Sequence, residues 1–470
     1  MPAAGLVALL AVTLGCALPS RPAWELPPPP VRDAPVVDAA RLSRAELDNG
    51  LHVIVLEDRR LPRFELGVVV RRGAGIVAPE QAGLARYTAE LMERGAGELT
   101  ALELAGIVDR LGATLSVSSG WDSTAVQVSG LSRDLDVLFE VLLDVVLRPR
   151  FDADEAERVH AEHLASLEQA KDDPDTLVRW SLARALYPGH RYGLPAEGAP
   201  ETVSSLGPGD ARAFHQSIFT PSNAIFRASG DLDPQELLER VRQRLGGWSG
   251  EPPPEAGPPP PIVAPEATRI VVVDRPDLGQ AQIGIGHEGI ARTDPRRVPV
   301  MLVNTVLGQS SFSSRLMRKV RSEEGLTYGI GSSFVQRRNP GPFGVWTFTR
   351  VPETRRVVEL VLAELARMRS DPPQADELGR AQSLRTGSFG LQLETSAAVV
   401  SALVDLDVHG MPQDSLDTFR HRVRAVTPVD TAAVAEQLIH PERVAIVVVG
   451  PAEQIVPQLE DLGPVEVETP

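Results

Sequence analysis

The sequence predicts an α+β protein made of two homologous domains, each built from mixed α and β layers. One observation is an internal repeat, since residues 208–231 align with residues 428–451 without a gap, at a constant offset of 220. The others are a proline-rich tract near the middle of the chain and the similar alternation of strand and helix patterns on either side of it. The aligned pairs include Pro208 with Pro428, Asp210 with Asp430, Ala213 with Ala433, Pro221 with Pro441 and Gly230 with Gly450.

In the first half, a turn at residues 47–50 (Leu-Asp-Asn-Gly) opens a series of strands and helices. Runs rich in β-branched residues predict the strands. Apolar residues at intervals of three and four predict the helices, several of which end at glycine or before proline. The predicted strands are residues 52–56, 64–70, 115–119, 124–129 and 224–228. The predicted helices are residues 83–95, 102–111, 134–147, 152–171, 177–186, 210–218 and 234–245.

Residues 251–261 contain too many prolines for a packed helix or strand. This composition predicts a stiff, extended linker between two domains. The second half then repeats the pattern of the first, with strands at residues 269–273 and 282–286 and a helix at 298–307. We therefore expect a first domain at 40–248, a linker at 249–266 and a second domain at 267–470.

Composition excludes two classes of protein. The formal charge of −16 argues against a nucleic-acid surface, because nothing would offset repulsion from phosphates. The single cysteine excludes an internal disulfide and therefore a disulfide-stapled secreted scaffold.

The single cysteine, Cys16, follows an apolar run of about signal-peptide length that is too short to span a bilayer. Leu14-Gly15-Cys16 resembles the lipobox at which bacterial lipoproteins are cleaved and acylated; an ordinary signal peptide or a mis-set start codon is the alternative. We expect a signal peptide with lipobox at 1–16, a proline-rich tether at 17–39, and a cell-envelope protein, periplasmic and anchored through lipid on Cys16 to the outer membrane. The sequence contains no other membrane candidate.

The predicted helix at residues 83–95 has an apolar face and an unusual set of polar positions. A metal-dependent hydrolase would place two histidines and a glutamate on one face of such a helix, and this chain has Arg86, Ala89 and Glu90 there. Arginine stays protonated and offers no lone pair to a metal, and alanine cannot move a proton.

The chain resembles the insulinase/pitrilysin metallopeptidases over roughly residues 40 to 455. In the first half the resemblance is carried by residues 47–51 (Leu-Asp-Asn-Gly-Leu), 83–85 (Gly-Leu-Ala) and 187–190 (Tyr-Pro-Gly-His). In the second half it is carried by residues 304–308 (Asn-Thr-Val-Leu-Gly), 314–316 (Ser-Arg-Leu) and 320–328 (Val-Arg-Ser-Glu-Glu-Gly-Leu-Thr-Tyr).

The resemblance implies how zinc chemistry would be arranged. In that family the helix carries His-x-x-Glu-His, whose histidines hold zinc and whose glutamate is the general base, and a downstream helix supplies a third ligand, a glutamate. Here Arg86 stands at the first histidine, Ala89 at the base and Glu90 at the second histidine, while the downstream ligand position falls at about Ser166. We therefore expect no zinc and no catalytic residue in this chain.

Arg321 and Tyr328 are the residues of the second half for which the resemblance implies a role. Family members use an arginine and a tyrosine at this spacing to hold the peptide near zinc and to support the polarised carbonyl. Both residues also have a plain structural reading, since a cation suits the last turn of a helix and tyrosine suits a strand. Gly325 is expected to cap the helix, so that Tyr328 begins the next strand.

His160 and His163 lie three residues apart on the long helix at 152–171 and could be mistaken for metal ligands. No third ligand is placed near them in the sequence. We interpret them as part of a solvated polar face.

Some bacterial members of the family divide the work between two chains, and this chain resembles the type that lacks His-x-x-Glu-His. The resemblance implies a noncatalytic, substrate-positioning subunit of a heterodimeric zinc metallopeptidase that acts on peptides in the cell envelope. A homologous partner would carry the intact motif and the zinc. The alternatives are a non-enzymatic scaffold or peptide-binding protein of the same fold and, less favoured because the base is missing, a weakly active homodimer.

Overall fold

The computed structural model describes residues 35–253, 267–310 and 312–469. The predicted signal peptide with Cys16, residues 17–34 of the tether and most of the linker lie outside the described residues. The domain boundaries at those segments therefore stay predictions.

The first half alternates strands and helices much as its sequence pattern predicts. Its strands are β1 (Leu42–Glu46), β2 (His52–Glu57), β3 (Arg63–Val70), β4 (Gly95–Ala96), β5 (Leu99–Thr100), β6 (Thr114–Ser119), β7 (Thr124–Leu131) and β8 (Ala224–Gly230). Its helices are α1 (Leu84–Met92), α2 (Ala101–Arg110), α3 (Leu135–Leu147), α4 (Ala153–Ala170), α5 (Pro174–Leu186), α6 (Pro200–Val203), α7 (Pro208–Ile218) and α8 (Pro234–Leu245).

The second half follows the same plan. Its strands are β9 (Arg269–Asp274), β10 (Gln280–Glu288), β11 (Ile330–Phe334), β12 (Pro342–Arg350), β13 (Ala445–Gly450) and β14 (Val465–Glu468). Its helices are α9 (Arg297–Asn304), α10 (Thr354–Ser370), α11 (Ala375–Gln392), α12 (Ser396–Val408), α13 (Phe419–Ala425), α14 (Pro428–Leu438) and α15 (Ala452–Leu459). Wide, π-type turns cover Thr305–Gln309, which continues α9, and Met317–Glu323.

Each half contains a six-stranded mixed sheet, and five adjacent strands follow the same order in the two sheets, whereas the sixth is the first strand of its half in one sheet (β1) and the last in the other (β14). The first is β1-β2-β8-β3-β7-β6, and the second, read from its other end, is β14-β9-β13-β10-β12-β11. In both sheets a late strand pairs parallel with an early strand of its half, β8 with β2 (Ile225 opposite His52) and β13 with β9 (Ala445 opposite Arg269). Ile225 and Ala445 differ by the offset of 220 read from the sequence. The predicted α+β fold of two homologous halves is confirmed.

The central strands are buried on both faces, and alternate side chains enter different cores. In β8, Phe226 packs into the core of its own half, whereas Ile225 packs against α12 from the second half. In β13, Val448 packs into its own half, whereas Val447 packs against α5 from the first half. Each half therefore contributes one helix that packs on the sheet of the other half: α12 on the first sheet and α5 on the second. We call these two the lent helices.

Because each half covers the sheet of the other with a helix, the chain from Pro35 onward forms a single compact unit. The two lent helices occupy the same place in the repeat, with α5 and α12 each spanning 13 residues. No single helix among the described residues is long and apolar enough to cross a membrane; α11 and α12 together pass on length and composition but bend by 113°.

Candidate functional site

Helix α1 places two oppositely charged side chains on its half-exposed face. The helix starts after Gly83, which has a φ of +101°, a conformation that favours glycine. A side chain at this position would also collide with the backbone, since its Cβ would lie 2.7 Å from the Glu197 carbonyl oxygen. Tyr87 and Leu91 enter the core. Arg86 and Glu90, one turn apart, face outward, and Arg86 Nε donates a hydrogen bond of 2.7 Å to Glu90 Oε1.

Helix α4 brings Ser166 to this ion pair. Ser166 Oγ lies 3.5 Å from an Arg86 Nη atom and donates a hydrogen bond of 2.8 Å to the His163 carbonyl oxygen. Ala89 is buried on the neighbouring part of α1. The structure therefore assembles Arg86, Glu90 and Ser166 in one place, although Ser166 lies on a different helix.

The interpretation of His163 as part of a solvated face is wrong. Its side chain is buried, and its Nε2 donates a hydrogen bond of 2.8 Å to the Glu197 carbonyl oxygen. Nδ1 lies 3.8 Å from Glu90 Oε2. Burial lowers the pKa of His163, the Glu90 charge opposes this effect and the Arg86 charge adds to it.

The sequence contained a signal for this burial that the interpretation missed. The buried residues of α4 are Ala156, Val159, His163 and Leu167, spaced by three, four and four residues. Such spacing marks the inner face of a helix. His160 is half-buried and its Nε2 bonds to the Val203 carbonyl oxygen at 2.9 Å, so both histidines have partners in the protein.

These residues do not fit a catalytic zinc ion, which takes three protein ligands and keeps a fourth position open. Arg86 has no lone pair, and its guanidinium holds the carboxylate of Glu90. Nowhere in the described ranges do three or more histidine, cysteine, aspartate or glutamate side chains form a group suited to a metal. An arginine–glutamate ion pair lies where the resemblance places the metal.

Arg321 and Tyr328 meet on the surface of the second half. The Arg321 guanidinium carbon lies 4.6 Å from the ring centre of Tyr328 and 4.8 Å from that of Phe312. The two rings remain exposed, 76% for Tyr328 and 64% for Phe312. The sequence motif predicted the arginine and the tyrosine but gave no signal for Phe312.

The turn that joins Arg321 to Tyr328 has a glycine cap, as predicted. Gly325 has a φ of +65°, and its N–H donates to the Arg321 carbonyl oxygen at 3.0 Å. The predicted start of the next strand at Tyr328 is wrong, because β11 begins at Ile330. Tyr328 instead lies in the loop before the strand, where its ring can turn back over the guanidinium.

Arg315, from the same sequence signature, is a structural anchor. It is fully buried, and its Nε donates to Glu377 Oε1 at 3.0 Å while an Nη atom donates to the Asp371 carbonyl oxygen at 2.8 Å. The hydrogen bond from Arg315 lowers the pKa of Glu377. This buried ion pair ties the segment that carries Arg321 to the start of α11.

The two groups of predicted site residues lie on different halves of the chain. Within the described ranges, no hydrogen bond, ion pair or ring contact joins the Arg321–Tyr328 pair to the Arg86–Glu90 pair. Each group is assembled locally by its own half.

Comparison with known proteins shows which family the chain belongs to. Residues 53–199 match the profile described as Insulinase (Peptidase family M16), and residues 205–384 match the profile described as Peptidase M16 inactive domain. Together the matches cover more than half of the chain. The chain belongs to the insulinase family.

Individual insulinase-family relatives extend over most of the chain. An uncharacterized zinc protease of Streptomyces coelicolor is 26% identical over 412 residues, which are 87% of this chain and 89% of the relative. A relative described as a probable mitochondrial-processing peptidase subunit beta of Arabidopsis thaliana is 21% identical over 434 residues, 89% of this chain and 80% of the relative.

A solved structure shares the fold as well. The structure described as the peptidase M16 inactive domain from Pseudomonas fluorescens has a TM-score of 0.81 and 25% identity, and covers 87% of this chain and 98% of its own. The protein is thus an insulinase-family homologue without the His-x-x-Glu-His motif of that family's peptidases.

Proposed function

We propose that this insulinase-family chain is the noncatalytic, substrate-positioning subunit of a heterodimeric zinc metallopeptidase that acts on peptides. One observation supports this role above the others. The Arg86–Glu90 ion pair lies where zinc ligands would stand, whereas Arg321, which is half-buried, and Tyr328, which is exposed, remain in contact. In this proposal the chain has lost the metal chemistry and keeps the pair that positions the peptide.

In this proposal the partner is a homologous subunit with an intact His-x-x-Glu-His motif, and it supplies the zinc and the general base. This chain supplies hydrogen-bond donors. Arg321 offers only N–H groups, and the Tyr328 hydroxyl can donate to a carbonyl oxygen of the peptide. Donors placed where negative charge develops on that oxygen lower the barrier to its attack. The ring of Tyr328 holds the guanidinium in place by a cation–π contact.

The peptide also has sheet edges to which it could add as a strand. β6 and β11 end their sheets at equivalent positions in the two halves. An edge strand presents backbone N–H and C=O groups that an extended peptide can bond. Part of each edge is already occupied, since the Val117 N–H of β6 donates to Glu93 and the Ser332 carbonyl oxygen of β11 accepts from Asn304. The Arabidopsis relative is itself described as one subunit of a peptidase, which agrees with a divided enzyme.

The proposed location is the cell envelope, with lipid on Cys16 as the link to the membrane. The test is incorporation of a labelled fatty acid into the full-length chain. Label that is lost on Cys16→Ala is expected, and label retained in that variant would contradict the assignment.

The central test is reconstitution with a His-x-x-Glu-His homologue from the same organism. We expect the two chains to co-purify and to cleave a fluorogenic peptide together. Arg321→Ala and Tyr328→Phe are each expected to lower kcat/KM by about 10²-fold, the usual cost of losing one such donor. Arg350→Ala, which removes an arginine that is 68% exposed, is the matched control and should leave the rate unchanged.

Two results would reject the proposal. One is peptide cleavage with stoichiometric zinc by this chain alone. The other is a complex whose rate does not change in the Arg321 and Tyr328 variants. The exposed rings of Phe312 and Tyr328 would equally suit a non-enzymatic scaffold, which predicts stable association with other proteins and no effect on proteolysis.

A further inference from the structure

Phe312 is 64% exposed, although an aromatic ring of this size is usually buried in a protein. It lies in the loop between the two π-type turns, Thr305–Gln309 and Met317–Glu323, and Arg321 belongs to the second of them. Turns of this type are rare and occur frequently at functional sites. The proposed peptidase role uses Arg321 and Tyr328 but does not account for the exposed ring of Phe312.

Buried residues flank Phe312 on both sides and fix the loop that carries it. Ser310 is 8% exposed, and its N–H donates to the Thr305 carbonyl oxygen at 3.1 Å. Ser314 is fully buried, and its Oγ accepts a hydrogen bond of 3.4 Å from the Met317 N–H. The backbone at Phe312 is therefore anchored within two residues in each direction.

The Arg321 guanidinium has no carboxylate partner. Among the described residues its side chain makes no ion pair and no hydrogen bond, and its contacts are with two aromatic rings. The carboxylates nearest to it along the chain are already occupied. Glu323 accepts from Lys319 at 3.1 Å, and Glu324 accepts from Arg356 at 3.0 Å. The N–H groups of Arg321 therefore stay available.

Two aromatic rings take the place of a carboxylate beside Arg321. The ring centres of Phe312 and Tyr328 lie 4.8 Å and 4.6 Å from the guanidinium carbon, within the distance of about 6 Å that a cation–π contact allows. The negative face of a ring attracts the cation and leaves its N–H donors unused. A carboxylate would bind those donors and neutralise the charge. Rings therefore suit an arginine that donates to another molecule.

The orientation of Arg321 matters for donation because its side chain is long and has many rotamers. Each rotamer that points away from a peptide lowers the fraction of the protein that is ready to donate. Contacts that hold the guanidinium before the peptide binds reduce this loss. Phe312 supplies one of these contacts and Tyr328 supplies the other.

We infer that Phe312 is a positioning residue of the peptide site: its ring, together with that of Tyr328, holds the Arg321 guanidinium in the orientation in which it donates to a bound peptide. The inference rests on the proposed function for the use that is made of Arg321. The contact itself lies wholly within this chain and can be tested without a partner.

The first experiment compares Phe312→Leu with Phe312→Tyr in the reconstituted peptidase. Leucine keeps an apolar side chain without a ring, whereas tyrosine keeps the ring. We expect Phe312→Leu to lower kcat by about two- to fivefold, the size of one exposed cation–π contact, and to change KM by less than about twofold. Phe312→Tyr should retain the wild-type rate. Val429→Ala, which shortens another exposed apolar residue of the second half, is the matched control and should leave the rate unchanged.

A double-variant cycle separates positioning from direct contact between Phe312 and the peptide. In an Arg321→Ala background, Phe312→Leu should have no further effect, because no guanidinium remains to be held. If Phe312→Leu lowers the rate equally in both backgrounds, or leaves the wild-type rate unchanged, the inference is wrong while the subunit proposal stands.

The second experiment uses the full chain alone, labelled with ¹⁵N on its arginine side chains. The Nε–H resonance of Arg321 is assigned by its loss in Arg321→Lys. We expect Phe312→Leu to shift this resonance, because a ring current is removed, and Phe312→Tyr to leave it near its wild-type position. A resonance that Phe312→Leu does not move would overturn the inference. The expected shift without partner-dependent cleavage would reject the subunit proposal and leave the contact between Phe312 and Arg321 standing.

Discussion

His409 links the two halves through one buried imidazole ring. Its Nε2 lies 3.3 Å from Asp122 Oδ2 in the first half, and its Nδ1 donates to the Asp405 carbonyl oxygen at 2.9 Å in the second. Arg338 adds a backbone N–H to the same Asp122 oxygen at 3.0 Å. Burial would lower the pKa of His409, but the hydrogen bonds to Asp122 and Asp405 raise it to about 9.

The raised pKa of His409 predicts how the free energy of unfolding depends on pH. Folding favours the protonated ring of His409. Its contribution to the free energy of unfolding is therefore fully present below pH 6.5, the pKa of an unfolded histidine, and is lost as pH rises through about 9. We expect a loss on the order of 1–3 kcal/mol between these values, measured by urea denaturation. His409→Gln should flatten this part of the curve, and an unchanged slope in that variant would assign the effect to other groups.

The contribution of Asp405 to the free energy of unfolding depends on pH in the opposite direction. Burial would raise its pKa, but the hydrogen bond from His409 and the charge of Arg292 lower it to about 2. Its contribution is therefore present above the usual aspartate pKa of 3.8 and is lost as pH falls toward 2. The two groups together hold the contact between the halves at neutral pH.

The residues at the altered zinc site predict that metal binding can be restored. Arg86 and Glu90 share one helix face, and Ser166 contacts Arg86 from α4. The triple variant Arg86→His, Glu90→His and Ser166→Glu is expected to bind about one zinc ion per chain. The measurement is metal content after dialysis, with the wild type beside it.

The control for restored zinc binding omits Ser166→Glu. This double variant has only two new ligands and should lose its zinc to a chelator more readily. A folded triple variant without zinc would show that the two helices do not keep the spacing that a metal site needs.

At the scale of elements, α5 and α12 decide how the halves are held together. α12 packs Leu403 and its apolar neighbours on the outer face of the first sheet, and α5 packs Leu182 on the second. Arg227 on β8 supports this packing, since it bonds to Glu65 at 2.8 Å and to the Ser401 hydroxyl of α12 at 3.2 Å. Buried positions in these helices therefore bear on both halves.

Leu403→Ala is expected to lower the free energy of unfolding by about 2–5 kcal/mol, because it leaves a cavity between the halves. The matched control is Leu391→Ala in α11, where the leucine is 75% exposed and the change should stay within about 0.5 kcal/mol. Thermal unfolding of both variants checks the prediction. Equal effects would show that α12 does not hold the sheet as described.

At the scale of the whole molecule, the exchange of helices predicts that the halves stay together without their covalent connection. Each sheet needs a helix from the other half to cover its outer face, and separation would expose that apolar surface to water. If a protease site is introduced between residues 253 and 267 and cleaved, we expect the two fragments to co-elute in gel filtration. Their separation in native buffer would contradict the exchange.

The control for this cleavage is the same sample in denaturant, where the fragments should separate. Each half expressed alone is expected to be poorly soluble, since its lent helix has no sheet to cover. Recovery of a soluble, monomeric single half would argue against the exchange as well.

Much of the fold could be predicted because its signals are local. Helix α8 spans Pro234–Leu245 and the predicted helix spanned 234–245, since its proline start and apolar spacing lie within a dozen residues. The repeat offset of 220 reappears in the pairing of Ile225 and Ala445 because duplicated sequences keep one strand register. β1 was not predicted, because its sequence (Leu-Ser-Arg-Ala-Glu) has little strand character and it gains its structure by pairing with β2.

By itself the sequence determined that Arg86 and Ala89 cannot carry zinc chemistry, since ligand lone pairs and proton transfer depend on the residue type alone. It also determined the two-half plan, because a repeat is visible without coordinates. Only the tertiary structure decided that Ser166 contacts Arg86, that His163 is buried, and that α5 and α12 each pack on the sheet of the other half. The physical reason is distance along the chain, since contacts between segments far apart in sequence are set by how apolar faces pack, which no local pattern contains.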